Sequence, residues 1–186
     1  MLQDICNIKT VFICPDHNEK YSQRKEHMVN LLKKIGIKNF SHYKSNTNNY
    51  PRCLIEANID ILEQNMNDEH ILILEDDVEW TGITVFEPLN CDAIYLGLSK
   101  CGGSRTANTD LGVNSSVFQS IESKSQFRVI NMLATHAIIY ISKIYKQAVV
   151  EALKKNLNYI MDVIISRIQS DFMVLANKIP LFYQSS

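Results

Sequence analysis

An aliphatic run that ends in carboxylates constrains this chain more than any other feature: Ile71-Leu72-Ile73-Leu74 passes directly into Glu75-Asp76-Asp77. Four successive apolar residues between polar ones fit a strand covered on both faces, as at the centre of a parallel sheet. Open α/β sheets bind ligands at the C-terminal edge of such strands, where the three carboxylates fall. Adjacent carboxylates at an apolar strand end repel one another with little relief from solvent, and a divalent cation removes that cost. In extended geometry Glu75 and Asp77 point to one side and Asp76 to the other. A Glu-x-Asp pair on one face suits a hard cation, Mn²⁺ or Mg²⁺, through oxygen ligands. A solvated turn after a strand is the alternative. The motif alone does not separate sugar transfer from phosphoryl transfer or a nuclease-type site.

The surrounding pattern predicts an α/β fold. Thr10-Val11-Phe12-Ile13-Cys14 reads as a first strand stopped by Pro15. A helix over 21–35 follows, with Met28, Leu31, Leu32 and Ile35 at helical spacing, Ser22 as a possible cap and Gly36 past its end. A short strand over 39–43 precedes a helix whose first turn holds Pro51 and whose stripe is Leu54, Ala57, Ile61 and Leu62. After the acidic strand, Ala93-Ile94-Tyr95-Leu96 repeats the buried-strand pattern. Alternating strands and helices predict a doubly wound open sheet flanked by helices, in one domain over 1–186. The segment 99–116 is rich in Gly, Ser, Thr and Asn and reads as a long mobile loop, with Gly102 and Gly103 free to let it close over a ligand. Strands over 127–132 and 137–141, helices over 142–154 and 158–168, and a last apolar piece ending at Gln184 complete the chain.

Composition narrows the function. Nineteen basic residues balance twenty acidic ones, so no general drive toward nucleic acid or an anionic membrane follows, a local patch being the alternative. The five cysteines form no C-x-x-C pair, which argues against a zinc ribbon and for reduced thiols in a cytosolic compartment. No apolar run approaches the roughly 18 residues of a membrane span, and no signal-peptide pattern opens the sequence. The expectation is a cytoplasmic protein without a transmembrane segment.

Leu74-Glu75-Asp76-Asp77-Val78 resembles the acidic metal-binding motif of GT-A glycosyltransferases, especially glycosyltransferase family 25, the family of bacterial lipopolysaccharide glycosyltransferases and collagen galactosyltransferases. Three further features fall in that family's order: Arg24 before the helix stripe, Ala134-Thr135-His136-Ala137-Ile138-Ile139-Tyr140-Ile141-Ser142 as a Thr-His-Ala strand, and Asp162-Val163 followed by Pro180 and Gln184-Ser185. The chain departs from the family before the acidic strand, where Cys53-Leu54-Ile55-Glu56-Ala57 stands in place of a Ser-His pair near a cysteine.

The resemblance implies a GT-A-like fold and a nucleoside-diphosphate sugar donor, UDP-hexose favoured, with Mn²⁺ or Mg²⁺ on its diphosphate. The sugar would pass to a hydroxyl of a glycan or lipid-linked glycan. Asp77 and Glu75 are the expected metal ligands, with His136 near the metal or sugar unless it is a buried core histidine. Glu75, Asp76, Arg24 and His17 are expected to hold the donor; for Arg24 an exposed helix position, and for His17 a plain turn, are the alternatives. Trp80 either stacks on a sugar or packs. Asp162 is the expected catalytic base, deprotonating the attacking hydroxyl. Asn158 capping a helix with Asp162 in its first turn is a sufficient structural alternative. Two other functions compete: a non-catalytic nucleotide-sugar or carbohydrate-binding module, and an Mg²⁺-dependent phosphohydrolase.

Overall fold

A computed structural model describes residues 2–87, 89–103 and 115–185. In chain order the elements are β1 (Gln3–Asp4), β2 (Lys9–Cys14), α1 (Glu19–Ile35), β3 (Phe40–Lys44), α2 (Arg52–Gln64), β4 (Ile71–Glu75), β5 (Val78–Trp80), β6 (Val85–Phe86) and β7 (Ala93–Tyr95). There follow β8 (Val117–Ser120), β9 (Gln126–Ile130), β10 (Ala137–Tyr140), α3 (Lys143–Lys154), α4 (Met161–Ile168), β11 (Val174–Asn177) and β12 (Phe182–Gln184). The fold is mixed α/β, built on an eight-stranded sheet in the order β3-β2-β4-β10-β7-β11-β9-β8.

The doubly wound expectation needs correction. β3, β2 and β4 are parallel, but β10 lies antiparallel between β4 and β7. β11 runs parallel to β7, while β9 and β8 add antiparallel pairs. The acidic strand β4 therefore has one parallel and one antiparallel neighbour. A strand buried on both faces reads as a continuous apolar run in either direction, so periodicity does not reveal that β10 is reversed.

Side-chain alternation sorts the core onto two faces. Val11, Ile13, Ile71 and Ile73 pack with α2, α3 and α4 through Ile55, Leu62, Tyr145, Val149 and Ile164. Phe12, Cys14, Leu72 and Leu74 face the other way, against Met28, Leu32 and Ile35 of α1. Helix ends are set by local chemistry. Asn18, rather than Ser22, caps α1 by accepting from the Tyr21 N–H at 3.0 Å, and Gly36 ends it in a left-handed conformation at φ 95°. Ser142 caps α3 by accepting from the Tyr145 N–H. α4 starts at Met161 with no side-chain cap, so Asn158 does not cap it.

Trp80 packs beside the α1-side core and donates its indole N–H to the Ile83 carbonyl at 2.8 Å. All five cysteines are free thiols. Among the described residues no helix is long and apolar enough to cross a membrane.

The expected loop 99–116 falls largely outside the described residues. Its described ends are tied: Cys101 bridges Ser115, and the Ser116 hydroxyl reaches the Ser99 and Cys101 carbonyls at 2.8 Å each. Gly102 and Gly103 are closely packed. A Cβ at Gly102 would lie 2.5 Å from the Ser115 carbonyl oxygen, and one at Gly103 would lie 2.1 Å from the Ser166 hydroxyl.

Candidate functional site

Strand direction gathers the site. β2 and β4 end at one sheet edge, with Ile13 beside Glu75. Because β10 is reversed, its beginning reaches that same edge: Ala137 pairs with Leu74, and the Glu75 N–H donates to the His136 carbonyl at 3.0 Å. A parallel β10 would carry Thr135 and His136 to the far side of the molecule. The end of β7 also arrives here, placing Gly97 under the His136 ring.

Alternation along β4 then divides the carboxylates. Glu75 continues the Ile71, Ile73 parity and faces α4, where Thr135 bridges it to Asp162. The Thr135 Oγ1 lies 2.6 Å from Asp162 Oδ1 and 3.0 Å from Glu75 Oε1. One hydroxyl carries one proton and satisfies only one of those acceptors as a donor. A protonated Glu75 supplies the second proton, and its pKa is pushed up to about 8 by burial first, then by the charges of Asp162 and Asp77. Asp76 takes the opposite parity, toward α1. Arg24 Nη1 sits 3.1 Å from Asp76 Oδ1, and the Cys14 thiol donates to Asp76 Oδ2 at 3.3 Å. Burial raises the Asp76 pKa, with Cys14 and Arg24 opposing it. Burial and then the Asp76 charge push the Cys14 thiol up to about 12, so it is a structural donor and not a nucleophile.

Asp77 turns back to the Glu75 side. Gln184 Nε2, from β12, stands 3.5 Å from both Glu75 Oε2 and Asp77 Oδ2. β12 is held there by pairing with β5, and Ser185 donates its N–H and hydroxyl to the Asp77 carbonyl. Asp77 Oδ1 is buried with no hydrogen-bond partner among the described residues.

A cavity of about 430 Å³ opens in front of these groups, lined by Arg24, Glu75, Asp76, Asp77, Gln184 and Tyr50 among others. Four expected site residues therefore share one cavity: Arg24, Glu75, Asp76 and Asp77. Asp162 adjoins them through Thr135. His17 does not line this cavity. It lies in a neighbouring groove that shares Ser45, Asn46 and Thr47 with the cavity, its ring tilted on Tyr21 at 5.0 Å and near the Thr47 hydroxyl at 3.3 Å.

His136 is 3% exposed and packs on Gly97 so tightly that a Cβ there would fall 1.8 Å from Nε2. Neither ring nitrogen completes a hydrogen bond among the described residues; the Phe182 backbone lies near the ring but outside good geometry. Burial lowers the ring's basicity, and Asp77 works in the opposite direction.

Three participants carried no assigned role in the sequence reading. Thr135 and Gln184 stand inside recognisable segments, but their contacts depend on β10 and β12 docking at the acidic edge. Tyr50 precedes Pro51 in a loop, and nothing in its spacing marks it as facing the cavity.

Among the described residues no three His, Cys, Asp or Glu side chains already converge as a metal-binding group. The donor chemistry nevertheless fits a hard cation at Glu75 and Asp77. Both are oxygen donors, and Asp77 Oδ1 is buried with no hydrogen-bond partner among the described residues; the Gln184 amide beside them presents Nε2 and would have to turn to offer its oxygen. A comparison with models of known protein families finds no match, and neither does a comparison with curated protein sequences.

Proposed function

We propose that this protein is a GT-A-type glycosyltransferase that moves a sugar from a nucleoside-diphosphate donor, UDP-hexose favoured, to a hydroxyl of a glycan or lipid-linked glycan. One observation carries this reading: the acidic edge of β4 divides its charges between a cation-bearing side, Asp76 with Arg24, and a carboxylate side, Glu75, at one cavity, with Asp162 joined to Glu75 behind it through Thr135. Transfer of a glycosyl group needs both, a place for a diphosphate leaving group and a base for the incoming hydroxyl.

Glu75 and Asp77 would hold Mn²⁺ or Mg²⁺, which supplies electrostatic stabilisation to the departing diphosphate. Arg24 offers its guanidinium to the nucleotide or diphosphate, and Asp76 fixes the orientation of that guanidinium. Asp162 accepts the proton of the acceptor hydroxyl as its oxygen bonds the anomeric carbon and the bond to diphosphate breaks. Thr135 orients Asp162 by donating to one of its oxygens, leaving the other oxygen for the acceptor.

Incubation with a panel of nucleotide sugars and Mn²⁺, followed by assay for released nucleotide, tests this reading. Release that needs both the protein and a carbohydrate acceptor supports it. Binding of nucleotide sugar without any release would favour a non-catalytic module of the same fold. Release of inorganic phosphate from simple phosphoesters would favour a phosphohydrolase.

A further inference from the structure

Tyr50 stands out on the cavity wall because it is a large aromatic left 72% exposed. Exposing that much ring to water forgoes burial free energy, yet the backbone holds the residue firmly in place. Asn49 before it adopts φ 62°, Pro51 follows it, and the Arg52 N–H donates to the Asn49 carbonyl at 2.8 Å. Tyr50 is thus displayed at the tip of a closed turn and not on a loose tail. It shares the cavity with Glu75. Thr135 in turn joins Glu75 to Asp162, its hydroxyl lying 3.0 Å from the first and 2.6 Å from the second.

An open aromatic ring next to fixed carboxylate oxygens matches the two-sided chemistry of a pyranose. A sugar ring has a patch of C–H groups that lies on an aromatic face and a rim of hydroxyls that donate to carboxylates. A diphosphate without its cation fits this corner worse, because Glu75 and Asp162 offer it oxygen acceptors and no cationic donor. We propose that Tyr50, with Glu75 and Asp162, forms a subsite for a pyranose of the acceptor, in which the Tyr50 ring is the stacking platform. Its assignment to the acceptor rests on the glycosyl-transfer reading, since Asp162 is the group there that meets the acceptor hydroxyl. Affinity for a pyranose does not rest on it.

The test uses the full chain without nucleotide or metal and titrates methyl α- and β-pyranosides of glucose, galactose and mannose at millimolar concentrations. Two-dimensional NMR follows the tyrosine ring signals, with Tyr50 assigned by its disappearance in Tyr50→Phe. At least one pyranoside is expected to shift the Tyr50 resonances. Tyr50→Phe, which keeps the ring, is expected to bind that pyranoside within about twofold of the parent, and Tyr50→Ala to lose roughly tenfold in affinity. Because the side chain is exposed, Tyr50→Ala leaves the core untouched, and an unchanged circular dichroism spectrum verifies this. Tyr50→Ala binding as tightly as the parent overturns the platform, and so does the absence of binding by every pyranoside, whatever nucleotide sugars do. Tyr50-dependent pyranoside binding without any nucleotide-sugar binding leaves the subsite standing and removes the transfer reading.

Discussion

Burial and the neighbouring charges of Asp162 and Asp77 raise the Glu75 pKa from an ordinary 4.5 to about 8. The folded protein thus holds this proton more tightly than the unfolded chain. The stability so gained is complete below the unfolded value and is lost as pH rises through about 8. Glu75→Gln keeps a neutral side chain at every pH. Thermal unfolding without divalent cation should show the parent losing stability relative to Glu75→Gln as pH rises across that window, and parallel curves would contradict the electrostatic account. Asp162 gives a second prediction at this scale. Asp162→Asn retains an oxygen to accept from Thr135, so the fold should tolerate it. Transfer should fall by roughly 10²-fold or more while nucleotide-sugar binding persists; transfer near the parental rate would return Asp162 to a helix-dipole role. Single residues were partly legible in the sequence. The alternation of Glu75, Asp76 and Asp77 followed from strand geometry, and Asp76 does part from the other two. The Arg24 partner, the Thr135 bridge and the Gln184 contact lie 52, 60 and 109 positions from their carboxylates, separations that no local pattern encodes.

At the scale of elements, most helices and strands could be placed from apolar spacing and capping chemistry, but strand direction could not. β10 reads as a buried strand either way up, and only its pairing with both β4 and β7 shows the reversal that brings Thr135 and His136 to the acidic edge. The short strands β1, β5, β6 and β8 and the strand β11 also escaped the pattern. The first three have two or three residues each, too few for a period to register. The β10 junction is tight: His136 leaves no room for a Cβ at Gly97. Gly97→Ala should destabilise the fold by about 1–3 kcal/mol in denaturant titrations, through overpacking against a buried ring. Unchanged stability would mean that the His136 ring moves freely and that the junction does not fix the site.

On the scale of the whole molecule, the sheet acts as a divider. α1 presents Arg24 from one face, α4 presents Asp162 from the other, and the ends of β2 and β4 carry the acidic turn between them. At the cavity the Arg24 guanidinium is compensated by Asp76. A nucleotide that carries its own charge-balancing cation suits such a cavity better than a bare polyanion, and the central claim reduces to that linkage. Isothermal titration of UDP into the protein, with Mn²⁺ and then with chelator, measures it directly, with Asp77→Ala as the matched control. The account predicts binding with Mn²⁺ that weakens by at least roughly tenfold on chelation and equally in Asp77→Ala, as expected when a cation held by that carboxylate joins ligand to protein. Equal affinity with and without Mn²⁺, or binding unaffected by Asp77→Ala, would contradict it.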